Sequence, residues 1–171
     1  MSKRKVLIPL DGSEFSRQIL AVVQEYLRPE DVTLILMHVA TPHLVTAESP
    51  AYAGALDEQV WTGMYTARSQ QLDQHWAVSA QERETYRTTL QTELEQNAVH
   101  LRKQGYEVTT EVHFGDAGER IVEYVKDMDV NLVAMATHGR TGLGRFVLGS
   151  VAEHALHHLH VPLLLLPAGK A

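Results

Sequence analysis

Five short apolar runs punctuate the chain: Val6–Leu10, Val32–Val39, Tyr106–Phe114, Val130–Met135 and Leu163–Leu166. Four of them are nearly continuous in Val, Leu, Ile and Met, the pattern of strands covered on both faces. Tyr106–Phe114 alternates instead, with Val108 and Val112 set among Thr109, Thr110 and Glu111, which predicts a strand at a sheet edge. Between the runs the apolar period lengthens to that of a helix. Phe15, Ile19, Val22, Val23 and Tyr26 predict a first helix, with Ser13 as its N-cap. Tyr86, Leu90, Leu94, Ala98 and Leu101 predict a second, opened by the capping box Ser79-x-x-Glu82 and ended by Gly105. Ile121, Val122 and Val125 mark a third behind Asp116-x-x-Glu119, and Val151, Ala152, Ala155, Leu156 and Leu159 mark the last behind Ser150-x-x-Glu153.

Strands that alternate with helices imply a parallel sheet with right-handed crossovers. The expected fold class is therefore α/β: a five-stranded parallel sheet in the order 3-2-1-4-5 with helices on both faces. In that order the topological switch point lies between the first and fourth strands, and ligands bind there, beyond the carboxyl ends. Residues 41–79 are too long for an ordinary connection in such a domain. They carry Pro42, Pro50 and Gly54, then a helical stretch near Leu56–Trp76 that holds both tryptophans. This segment reads as an insertion rising from the ligand-binding rim, either a lid or partner surface, or a mobile decoration.

Composition narrows the picture. A chain of 171 residues that is 44% hydrophobic has the length for a substantial core. A net charge of −6 argues against a nucleic-acid surface, which needs a basic face. The absence of cysteine excludes a disulfide framework and a thiolate zinc site. The basic residues Lys3, Arg4 and Lys5 precede an apolar run that stops at Asp11, too early for a signal-peptide core, and no apolar stretch approaches a membrane span. A soluble, cytoplasmic protein is expected.

The candidate chemistry lies in residues 136–150, Ala-Thr-His-Gly-Arg-Thr-Gly-Leu-Gly-Arg-Phe-Val-Leu-Gly-Ser. A strand, a glycine-rich loop with two arginines and a helix N-terminus together make a phosphate cradle, because backbone N–H groups and the helix dipole both favour an anion. The familiar motifs do not apply. Gly139-x4-Gly144-Arg145-Phe146 has Walker-like spacing, but arginine replaces the lysine and phenylalanine replaces the magnesium-binding hydroxyl residue. Neither Asp11-Gly12-Ser13 nor Gly142-x-Gly144 completes a dinucleotide fingerprint, since Val147 occupies the third glycine place of the latter. The glycine loop after the fourth strand and Asp11 after the first nevertheless converge on one crevice.

The spacing Gly139, nine residues, Gly149-Ser150, together with Val6-Leu7-Ile8-Pro9-Leu10-Asp11-Gly12-Ser13, resembles the universal stress protein family. Leu36-Met37-His38-Val39, Gly115-Asp116 and His160-Val161-Pro162-Leu163-Leu164-Leu165-Leu166-Pro167 extend the likeness over nearly the whole chain outside the insertion. The resemblance implies a single Rossmann-like domain over residues 1–171, with the insertion at about 41–79, that binds ATP, alone or with Mg, as a stress-response sensor or switch. It also implies a homodimer formed through the last strand, Leu163–Leu166. By the same resemblance Asp11 meets the ribose or adenine side with Pro9 and Leu10 beside it, and Val39 offers backbone hydrogen bonds to adenine. Gly139, Gly149, Ser150 and Val151 would hold the phosphates. Met135 and Ala136 at the end of the fourth strand and His138 and Arg140 in the loop complete the candidate set. The chain departs from the family's glycine signature at its first position, where Ala136 stands.

Several of these residues carry two readings. Ser150 serves equally as a helix cap or as a phosphate ligand, since both use the same orphan N–H groups. Asp11 is a ligand contact or a turn former. Of Arg140 and Arg145, one faces phosphate while the other is a solvated charge or pairs with an acid across a dimer. His138 shapes its loop or meets phosphate. His154, His157, His158 and His160 lie mostly outside the predicted buried face of the last helix, and no metal site is expected from them. No pair of acids converges for general acid–base work, so the expected activity is at most slow ATP hydrolysis. The rival to the ATP-binding reading is a family member that binds no nucleotide and acts through protein interaction, and Ala136 is the residue that favours it.

Overall fold

The computed structural model describes residues 3–40, 80–137 and 148–167. Within them five strands alternate with helices: β1 (Arg4–Pro9), α1 (Glu14–Arg17), α2 (Ile19–Tyr26), β2 (Val32–Ala40), α3 (Ala80–Lys103), β3 (Glu107–Phe114), α4 (Ala117–Asp127), β4 (Leu132–Thr137), α5 (Ser150–His158) and β5 (Leu163–Pro167). All strand pairs are parallel, in the order β3-β2-β1-β4-β5. The alternating strand β3 is at an edge, as its pattern predicts, and β5 forms the opposite edge.

Each apolar strand feeds two cores because successive side chains point to opposite faces. Val6, Ile8, Leu34 and Leu36 pack beneath α2 and α3, joined by Ile19 and Val23 from α2 and by Leu90, Leu94, Ala98 and Leu101 from α3. Leu7, Ile35, Met37, Val133 and Met135 pack beneath α4 and α5, joined by Ile121, Val125, Ala152 and Ala155. Removing any one of the fully buried leucines costs about 2–5 kcal/mol, the usual range for a cavity in a packed core.

The pairing along the sheet is uneven. Strands β1 and β2 share six register pairs, from Arg4 with Val32 to Pro9 with Met37, whereas β1 and β4 share two, Val6 with Leu132 and Leu7 with Val133. Asn131 pins the amino end of that seam. Its Oδ1 accepts from the Lys5 N–H at 2.8 Å and its own N–H donates to the Lys5 carbonyl at 2.9 Å. At the carboxyl end β1 follows β2 instead, through a bond from the Leu10 N–H to the Met37 carbonyl at 2.8 Å. The sheet therefore opens between β1 and β4 at the switch point.

Three local expectations need correction. The first helix is not continuous. Gln18 separates α1 from α2, with i→i−3 bonds from Gln18 N–H to Phe15 O and from Ala21 N–H to Gln18 O in place of the α-helical ladder. Leu156 is not on the buried face of α5 but is 52% exposed, because so short a helix meets the core through Ala152 and Ala155, with Val151 partly buried beside them. His154 is not outward but half-buried, packed over Gly118 of α4 so closely that a methyl there would come within 2.8 Å of its ring. Ser79 and the 41–79 insertion lie outside the described residues.

Candidate functional site

The β1–α1 turn is built by its own side chains. Asp11 Oδ1 accepts from the Ser13 N–H at 2.9 Å and from the Ser13 hydroxyl at 2.6 Å. Ser13 Oγ in turn accepts from the Ser16 N–H at 3.0 Å, which makes Ser13 the N-cap of α1 as its type predicts. Gly12 sits at φ +82°, a conformation that favours glycine, and its carbonyl accepts from Arg17 Nη1 at 2.9 Å. The turn-forming reading of Asp11 is thus realised, two residues past the end of β1, and its side chain stays at the exposed rim.

Across the seam, Met135 and Ala136 lie within β4, not in a loop. Ala136 pairs with Leu166 of β5, and its methyl packs against the core under α2 and α3. Ala136 is not among the positive-φ residues, so alanine in the first signature place carries no backbone strain.

The helix that follows differs from its prediction. Gly149, at φ −64° and ψ 154°, is the N-cap of α5, and Ser150 is already helical. The capping box Ser150-x-x-Glu153 is therefore not formed: a hydroxyl in the first turn cannot reach back as an N-cap does, and the Glu153 N–H donates instead to the Gly149 carbonyl at 2.9 Å. Gly149 provides no side-chain acceptor. Among the described residues, no side chain caps the first-turn N–H groups at the positive end of the helix dipole.

The structure brings Pro9, Leu10 and Asp11 of the β1 end, Val39 near the end of β2, Met135 and Ala136 of β4, and Gly149, Ser150 and Val151 of α5 to the carboxyl ends of β1, β2 and β4 and the start of α5. His138, Gly139, Arg140 and Arg145 lie outside the described residues. Among the described residues, no group of three or more His, Asp or Glu side chains is arranged to hold a metal.

A model of the universal stress protein family matches residues 3–167, nearly the full chain. The chain belongs to the universal stress protein family. A relative in Methanocaldococcus jannaschii, universal stress protein MJ0531, is 38% identical over 66 residues, 39% of this chain and 39% of that protein. The chain thus spans about two-fifths of the length of the curated relative it matches. Among solved structures, MJ0577 of the same organism superposes over the whole of both chains with a TM-score of 0.69 at 20% identity. A universal stress protein in complex with cAMP has a TM-score of 0.60 at 12% identity, over 98% of each chain. An Arabidopsis thaliana family protein with AMP bound has a TM-score of 0.57 at 14% identity, over 98% of this chain and 94% of that one. At these identities the likeness is one of fold.

Sequence reasoning missed a cleft elsewhere on the rim. A cleft of about 390 Å³ lies between the β1–α1 turn and α3, on the face of the sheet opposite α5. His38 of β2 lines it, beside Gly12, with Arg17 on the α1 side and Glu93 on the α3 side. Burial pushes the His38 imidazole below its ordinary range, against the opposing pull of Glu93, Asp11 and a hydrogen bond with the Leu10 backbone. The sequence shows His38 within the family-like string Leu36–Val39, and the helical stripe Leu90, Leu94, Ala98 places Glu93 beside it; what the pattern lacks is the pairing of α3 with the β1–α1 turn.

Proposed function

We propose that this universal stress protein binds an adenine nucleotide, ATP, in the opening between β1 and β4, and that it acts as a sensor or switch in a stress response. The observation that carries the reading is the helix start at Gly149. Glycine there is not required by the backbone, whose φ of −64° any residue adopts, so its contribution is the absence of a side chain in front of the first-turn N–H groups. Phosphates would meet the N–H groups of Gly149, Ser150 and Val151, together with Gly139 and Arg140 of the preceding loop. The ribose and base would lie toward Asp11, Pro9 and Leu10, with the Val39 backbone, Met135 and Ala136 around them. The relatives solved with cAMP and AMP support the nucleotide class. Ala136 does not weigh against binding through strain, since it lies in an ordinary strand.

The active form in this reading is a cytoplasmic homodimer joined through Leu163–Leu166. Support comes from the outer position of β5, whose four leucines are only half-buried, an arrangement that pairing with a second copy would protect. Efficient catalysis is not part of the proposal.

The direct test is the nucleotide carried through purification. Denatured protein should release a species absorbing as adenine that co-elutes with ATP on chromatography, and protein freed of it should bind added ATP in a titration. Failure of both would leave the family's interaction role, without nucleotide, as the function. Incubation with Mg and ATP then measures turnover, expected to be slow or absent.

A further inference from the structure

The cleft between the β1–α1 turn and α3 has a lining from which the nucleotide reading uses only Leu10. Its floor is apolar: Leu10, Leu90 and Leu94 are each at most 6% exposed. Its two walls carry opposite charges, Arg17 from α1 and Glu93 from α3, and neither side chain takes part in an ion pair among the described residues. Arg17 bonds the Gly12 carbonyl through Nη1 and has further N–H donors, while Asn97, on the α3 wall, directs its Nδ2 to the Glu93 carbonyl and retains its amide oxygen as an acceptor. A volume of about 390 Å³ is in the range of small-molecule sites. An anion alone would be repelled by Glu93 and a cation alone by Arg17; a ligand with both charges around an apolar body complements both walls and the floor.

We propose that this cleft binds a small zwitterion with an apolar side chain, of the amino-acid or dipeptide class. The ligand carboxylate lies on Arg17, its ammonium on Glu93, and its side chain over Leu10, Leu90 and Leu94. His38, on β2 between the two walls, supplies a neutral hydrogen-bonding edge to the same ligand. The site stands independently of nucleotide binding, with which it shares Leu10 and none of its charged groups.

Isothermal titration of the full chain with L-phenylalanine, and with the dipeptide leucyl-leucine, tests the proposal. At least one should bind saturably, and the His38 ring resonances should move in the same titration. Hydrocinnamate, which lacks the ammonium, and phenethylamine, which lacks the carboxylate, should each bind at least about tenfold more weakly than phenylalanine. Glu93→Gln, at an exposed position of α3, should keep the wild-type melting temperature and lose about tenfold in affinity for the zwitterion while leaving hydrocinnamate unweakened. Arg17→Gln should lose a similar factor; if it disturbs the turn, Glu93→Gln decides alone. Absence of saturable binding by both probes up to millimolar concentration overturns the proposal. So does binding that Glu93→Gln and removal of the ammonium leave unchanged.

Discussion

Helices α4 and α5 cover the same face of the sheet, yet they begin in opposite ways. Asp116 opens α4 and its carboxylate accepts from the Glu119 N–H at 3.0 Å, so the acceptor and the negative charge that a helix start favours are supplied by the chain itself. Gly149 opens α5 with an almost identical extended backbone, φ −64° against −73°, and supplies neither. The local conformation is shared and the chemistry is not. A capped helix start is satisfied from within, whereas one without a side chain is suited to an anion from outside.

That contrast can be broken deliberately. Giving α5 the cap of α4, by Gly149→Asp, should leave the melting temperature unchanged or raised and lower ATP affinity by about a hundredfold, or ~3 kcal/mol, since a carboxylate would stand where phosphate binds. Unchanged affinity in that variant would remove the α5 start from the nucleotide site. A next step disturbs the contact between the helices. Gly118→Ala places a methyl 2.8 Å from the His154 ring, and overpacking should outweigh the better helix propensity for a net loss of about 2 kcal/mol in denaturant unfolding. Removing the cap of α4, by Asp116→Ala, should cost about 1 kcal/mol of stability and leave ATP affinity as it was. The smallest effect on folding belongs to Ser150→Ala. As the first helical residue it caps nothing, so the melting temperature should stay within about 1 °C, while a modest loss of ATP affinity, about threefold, would report its hydroxyl on the phosphates.

The same contrast marks what the sequence conveys. Strand order, the edge position of β3, and the caps Ser13 and Asp116 follow from apolar periodicity and local side-chain chemistry, and all are present. Ser150-x-x-Glu153 has the same letters as a true capping box and yet is none. The choice between Gly149 and Ser150 as the helix boundary is a one-residue shift that local pattern cannot decide. The break at Gln18 and the exposure of Leu156 escape for a related reason, because a helical stripe predicts a buried face without saying how much of it the sheet covers. His154 resting on Gly118, and the cleft that joins Arg17 to Glu93, depend on contacts between elements far apart in the chain. The place of β1 beside β4 was legible from the strand order; the shortness of the ladder between them was not, since no residue in either strand announces where pairing stops.

That short ladder has a mechanical consequence. Strands β3, β2 and β1 form one half-sheet and β4 and β5 the other, and the two are hinged near Lys5, Val6 and Leu7, where Asn131 fastens them. Beyond the hinge, β1 and β4 share no further register pairs. A molecule that grips both sides acts as a clamp across a crack tip, and its binding energy opposes every opening that widens the crack. Occupancy would then be felt as stiffness at the far strand β5, the strand a second copy would have to join.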